Sequence, residues 1–353
     1  MNNKLPIISG IQQIGIGNVS VYDTWEWYRK NLGMDLPVFD EAAEAALMLP
    51  YTEGEPRSRH AILALNMMGG GGAEIWQYTT RVGQGPAFKI QLGDLGIHIA
   101  KFKSANIQKS HQFLSSRNEG VSEITKDPQG KKHFYLYDPF GNPIELVESD
   151  DWFGKNISHS GGVYGALIGV SDMDKSIRFY HEVLGFDTVV YDEKNSFDDL
   201  KYFEDAQGKY RRVLLRHSQP RKGPFSSLLG AAEIELIQTL DRTPKKIFAD
   251  RMWGDLGYIH LCFDIVGMSA LRQKCKDYGC AFTVDSGDFD MGEAAGQFAY
   301  IEDPDGSLIE FVETHKVPIL KKLNWYLDLR KRKPGQSLPR WMLKAMGLSR
   351  VKS

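Results

Sequence analysis

The amino-acid sequence predicts an α+β chain of four repeated βαβββ modules. Three observations carry this. First, YLYDPFGNPIELVES (Tyr135–Ser149) and YIEDPDGSLIEFVET (Tyr300–Thr314) share Tyr, Asp-Pro, Gly, Ile-Glu and Val-Glu at a constant offset of 165 residues. Second, WYRKNLGMD (Trp27–Asp35) matches FYHEVLGFD (Phe179–Asp187) at an offset of 152. Third, AEIWQY (Ala73–Tyr78) matches IELIQT (Ile234–Thr239), and GDLGIH (Gly93–His98) matches GDLGYIH (Gly254–His260). Repeats of this length decide the architecture before any local reading does.

The elements follow in order. The first module spans 8–80: a strand through QQIGIG, an amphipathic helix ending at a glycine cap (Gly33), the strand HAILALN, a glycine run (Gly69–Gly72) read as a flexible hairpin, and the strand AEIWQY. The run lacks the Lys-Ser/Thr and following helix of a phosphate loop. The second module, 90–149, opens a strand at GDLGIH. It closes with a strand, a tight Asp-Pro-x-Gly turn and a strand carrying Glu145. Residues 150–162 are polar and Gly-rich and read as a linker. The third module, 163–241, repeats the helix with a cap at Gly185, then VLLRH and IELIQT; the fourth, 253–315, repeats the doubled sentence. Modules one and two resemble three and four, so the expected domains are 8–149 and 163–315, followed by a tail, 316–353.

At 353 residues the chain can bury a sizeable core, and its apolar and charged fractions are those of a globular protein. The start, MNNKLPIISG, has no basic region leading into a long apolar core, and no apolar run approaches the ~20 residues of a membrane span. The cysteines, Cys262, Cys275 and Cys280, form no C-x-x-C pair, so a reduced, cytoplasmic setting is expected. The net charge of −2 divides unevenly: the tail carries about +10, with Asp328 its lone acid, leaving an acidic body.

With these motifs the chain resembles the vicinal oxygen chelate superfamily, which includes glyoxalase I, methylmalonyl-CoA epimerase, extradiol ring-cleaving dioxygenases and bleomycin-resistance proteins. The resemblance covers roughly residues 8–315. It implies that pairs of modules form open, barrel-like mixed sheets with flanking helices. It also implies a metal inside, held by the first and last strands of both modules. The glutamates within apolar runs suit this, because a buried carboxylate is costly unless a cation compensates it.

For the amino-terminal half the family positions read Gln13, Glu74, His98 and Glu145. Two carboxylates, an amide oxygen and an imidazole suit a divalent ion such as Zn, Ni, Mn or Fe(II) with open positions. The resemblance then implies a glyoxalase-like lyase or isomerase. It would act on a small α-hydroxycarbonyl or 2-oxo compound through a metal-bound enediolate, with Glu145 or Glu74 moving the proton. In the carboxy-terminal half the same positions read Gly165, Glu235, His260 and Glu310, a weaker second site that lacks its first ligand. Pairing across halves gives another complete set, Gln13, Glu74, His260 and Glu310, and the sequence does not decide between pairings. An extradiol-type dioxygenase using Glu235, His260 and Glu310, and a non-catalytic binding or resistance protein, are the alternatives. Glyoxalase I has an arginine shortly after the first ligand that helps hold glutathione; IGIGN after Gln13 has none.

The expected partner is a small molecule, with no nucleic acid, since the basic residues form no sequence-reading platform. The tail mixes basic residues with Trp325, Tyr326, Leu327, Trp341, Met342, Leu343 and Met346. It can pack on the acidic body, or contact a membrane surface or an acidic partner. Fused module pairs make a monomer feasible, with a homodimer as the other expectation.

Overall fold

A computed structural model describes residues 5–155, 159–290, 295–320 and 325–351. The first quarter runs β1 (Ile7–Gly17), α1 (Val21–Leu32), β2 (Leu36–Glu44), β3 (Ser58–Leu65) and β4 (Gly72–Tyr78). The second runs β5 (Gly96–Ser104), α2 (Ile107–Ser115), β6 (Thr125–Lys126), β7 (Lys132–Tyr137) and β8 (Pro143–Glu148). The third runs β9 (Val163–Gly169), α3 (Met173–Glu182), β10 (Thr188–Asn195), β11 (Tyr210–Arg216), the short α4 (Ser226–Leu229) and β12 (Glu233–Thr239). The fourth runs β13 (Gly257–Val266), α5 (Met268–Tyr278), β14 (Val284–Asp285), β15 (Phe289–Asp290), β16 (Ala295–Glu302) and β17 (Leu308–Thr314).

Local chemistry explains the helices. Ser20, Asn106 and Asp172 cap α1, α2 and α3 by accepting backbone N–H bonds from Asp23, Lys109 and Lys175. Gly33 ends α1 in the left-handed conformation, as the sequence predicts. On α3 the helix stops earlier, at Val183, and Gly185 turns the chain two residues later.

The strands form two curled, mixed half-barrel sheets. The first has the order β14-β16-β17-β13-β1-β4-β3-β2, with β15 paired to β16; the second is β10-β11-β12-β9-β5-β8-β7-β6. Each sheet therefore takes one quarter from each half of the chain, and the halves 8–149 and 163–315 do not close sheets of their own. The central joints are antiparallel, β1 on β13 and β5 on β9. The helices cover one face of the sheets over a core that includes Ile14, Tyr28, Phe102, Leu114, Tyr180 and Phe263.

The glycine run sits where the sheets meet, and is not a free hairpin. Gly70 donates to Leu228 O, Gly71 exchanges hydrogen bonds with Val163, and Gly162 donates to Gly69 O. A Cβ on Gly70 would stand 2.7 Å from the backbone of Gly162, so the crossing needs bare backbone.

The tail continues as a hairpin, β18 (Lys316–Leu320) and β19 (Trp325–Asp328), and the short helix α6 (Arg340–Met346). Leu329, Leu338 and Leu343 are buried against Leu36, Leu65, Met67, Phe153 and Leu228. Arg350 forms a bidentate pair with Asp35. Residues 156–158 of the linker and 321–324 of the tail lie outside the described residues. Among the described residues no helix is long and apolar enough to cross a membrane.

Candidate metal site

The four central strands of the first sheet place Gln13 (β1), Glu74 (β4), His260 (β13) and Glu310 (β17) together. Residues opposite one another across a ladder point to the same face. Cys262 is opposite both Gln13 and Glu310, while Gly15 is opposite both His260 and Glu74. Gly15 is what admits the imidazole: a Cβ there would lie 2.4 Å from His260 Cε1.

His260 Nε2 lies 3.2 Å from Glu74 Oε2 and 3.1 Å from Glu310 Oε2. Gln13 Nε2 donates to the same two oxygens at 2.9 and 3.4 Å. All four side chains are buried. Trp253 stacks nearly parallel to the imidazole at 6.4 Å between centroids, and Tyr300 meets it edge-on at 5.6 Å. Burial opposes a charge on His260, but the flanking Glu310 and Glu74 carboxylates outweigh it and raise its pKa to about 10.

Glu74, His260 and Glu310 each offer a ligand atom within 4.8 Å of the others, so the three could hold a metal ion. The donor set fits such an ion. Gln13 Oε1 and His260 Nδ1 are buried without a hydrogen-bond partner among the described residues, and His260 Nε2 faces only the two carboxylates. Such orphaned donors and acceptors are uncommon in a folded protein and call for an explanation.

His98 and Glu145, read from the sequence as ligands beside Gln13 and Glu74, lie in the second sheet instead. β1 pairs with β13 and β4, whereas β5 pairs with β9 and β8, so these residues cannot join Gln13. The weaker set is divided too: Glu235 is on β12 of the second sheet, His260 and Glu310 on the first. The set that the structure assembles is the cross-half one.

His98 is also one residue out of register. In the ladders Lys101 is opposite Glu145 as Cys262 is opposite Glu310, so the counterpart of His260 is Ile99. His98 occupies the bulge between Ile97 and Ile99 and packs against Phe203 at 6.0 Å. Burial lowers its pKa to about 4. The extra residue in GDLGYIH relative to GDLGIH is the signal of this shift in the sequence. Gly15 and Cys262 beside this site, and Lys101 at the matching place in the second sheet, are positions that motif reading missed because ladder register picks them out; Trp253, outside the strands, is placed by its stacking on His260.

Two curled mixed sheets, with paired glutamates and a histidine on one face of the first, resemble the vicinal-oxygen-chelate fold. Residues 162–311 match the Glyoxalase/Bleomycin resistance protein/Dioxygenase superfamily. A lactoylglutathione lyase of Haemophilus influenzae is 26% identical over 147 residues, which is 42% of this chain and 88% of that protein. Among solved structures, glyoxalase I from Zea mays aligns with a TM-score of 0.52 at 14% identity, covering 87% of this chain and 92% of its own. A proposed dioxygenase from Bacillus subtilis aligns with a TM-score of 0.54 at 15% identity, covering 87% and 86%. These two likenesses speak to the fold.

Proposed function

We propose that the chain is a metal-dependent lyase or isomerase of glyoxalase type, with its centre at Gln13, Glu74, His260 and Glu310. The observation that supports this above all is the convergence of buried ligand atoms from Glu74, His260 and Glu310 beside the unpartnered Gln13 Oε1. The substrate class is a small α-hydroxycarbonyl or 2-oxo compound. A divalent ion held by these residues would polarise the substrate carbonyl and acidify the adjacent C–H.

The chain's own residues supply the rest. Glu74 Oε2 and Glu310 Oε2 both lie within 3.2 Å of His260 Nε2, so either carboxylate can take the proton from carbon and return it to the neighbouring carbon or oxygen. The amide of Gln13, bonded to both Oε2 atoms, fixes their orientation. Trp76, Trp253 and Tyr300 wall the site with apolar surface that limits water around the exchanging proton. Beside it lies a cleft of about 210 Å³ lined by Tyr51, Phe248, Arg251, Trp253, Ile259 and Leu308, and Leu308 is the cross-strand neighbour of His260. That volume is below the ~300–1,000 Å³ of pockets for drug-sized ligands, which favours a compact free carbonyl compound over a bulky thiol conjugate.

The test is deuterium wash-in at carbon next to the carbonyl. It would be followed by NMR over a panel of 2-oxo and α-hydroxycarbonyl compounds with metal-reconstituted protein. Glu310→Gln should slow exchange by ~10²–10⁴, the usual worth of a positioned acid–base group. Exchange that survives undiminished in both Glu74→Gln and Glu310→Gln would end this reading.

A further inference from the structure

The two sheets are built on one register, yet they treat their glutamates differently. Gly165 stands where Gln13 stands, Ile99 where His260 stands, and Glu145 and Glu235 where Glu310 and Glu74 stand. The strand position between the first ligand and the last glutamate is Cys262 in the first sheet and Lys101 in the second.

In the second sheet the bare backbone of Gly165 leaves the Lys101 side chain unopposed. Its ammonium reaches Glu235 at 2.5 Å, Glu233 at 3.2 Å and Glu145 at 3.4 Å. Arg212 forms a second contact to Glu235 at 2.7 Å and also holds Asp199. His133 lies 2.7 Å from Glu145, and the Tyr191 hydroxyl donates to Glu235. Lys101, Arg212, Glu145 and Glu235 are all at most 3% exposed. Phe197, Leu200 and Phe203 close the space over them. In the first sheet no lysine or arginine forms an ion pair with Glu74 or Glu310 among the described residues, and the one basic group between them is the His260 imidazole, itself a ligand type that a divalent ion can take over. Cys262 there is neutral, its thiol donating to Gln12 Oε1 at 3.6 Å.

A buried carboxylate pair needs a cation, and it can be built in or bound. We propose that Lys101 is a resident cation that occupies, in the second sheet, the place a divalent ion takes in the first. The chain then binds one divalent ion, in the first sheet, where the neutral Cys262 leaves room for it and Lys101 has no counterpart. This rests on the reading of the first sheet as a metal centre.

The experiment is metal stoichiometry on the full chain. Protein stripped with a chelator is dialysed against Mn²⁺ or Zn²⁺ alone and then analysed for bound metal per chain. Wild type should hold one ion, Glu310→Ala none, and Cys262→Lys none. The Cys262→Lys melting temperature should be indifferent to chelator, while that of wild type falls on stripping. Two ions in wild type, an ion kept by Glu310→Ala, or a folded Cys262→Lys that keeps its ion would overturn the inference. The first two results leave the first-sheet centre possible, with the second sheet binding as well. If Cys262→Lys does not fold, the stoichiometries of wild type and Glu310→Ala decide. A wild type that takes up neither metal retires the proposed function and this inference together.

Discussion

Asp264 shows how one atom's surroundings set a measurable property. It lies on β13, buried, with Oδ2 lacking a partner among the described residues. Burial, reinforced by the charge of Glu313, raises its pKa to about 7. The sign follows from linkage: the folded state holds this proton more tightly than the unfolded chain does. Stability is therefore unaffected below the unfolded value near 3.8 and falls as pH rises from there to about 7. Asp264→Asn should accordingly be nearly neutral at pH 4 and stabilising at pH 8, by on the order of 2–4 kcal/mol. Chemical denaturation at the two pH values measures the difference; equal effects at both would show that Asp264 is not the group responsible.

Elements were legible in the sequence to the extent that their causes are local. The doubled sentence is a turn because Asp138 accepts the N–H groups of Phe140 and Asn142, and Asp303 does the same for Asp305 and Ser307. Glu74, Glu310 and Gln13 could be picked out from strand composition and position. The error at His98 came from spacing: His98 stands two residues after Gly96 where His260 stands three after Gly257, so it falls on the bulge position that Ile259 takes in the first sheet. Strand partners were illegible because β1 and β13 are about 250 residues apart and nothing in either segment names the other. The tail is a further element whose placement only the structure gives. Its helix α6 is too short to persist alone and is held by burial of Leu343 at 1% exposure. Leu343→Ala should weaken this docking by about 2–4 kcal/mol. Limited proteolysis between Lys331 and Arg340 should then accelerate well before the body of the protein melts; an unchanged cleavage rate would mean that other contacts hold the tail.

At the scale of the whole molecule, cross-half pairing makes the protein a single cooperative body despite its two-domain sequence. Chains comprising residues 1–149 or 150–353 alone should give no folded monomer, because each sheet would lose half of its strands. Co-expression should restore a complex with native secondary structure, seen by co-elution and circular dichroism. A half that folds as a monomer on its own would show that a half can close a sheet by itself.

The same pairing has a meaning in the history of the chain. Two copies of a half-length ancestor, related by a twofold axis, would form two identical sites, and any substitution would appear in both. Joining the copies through residues 150–162 frees each site to change alone. One could take up a lysine and become inert ballast while its twin kept open donors. The asymmetry between position 101 and position 262 is the kind of divergence that a fused gene permits and a symmetric pair forbids.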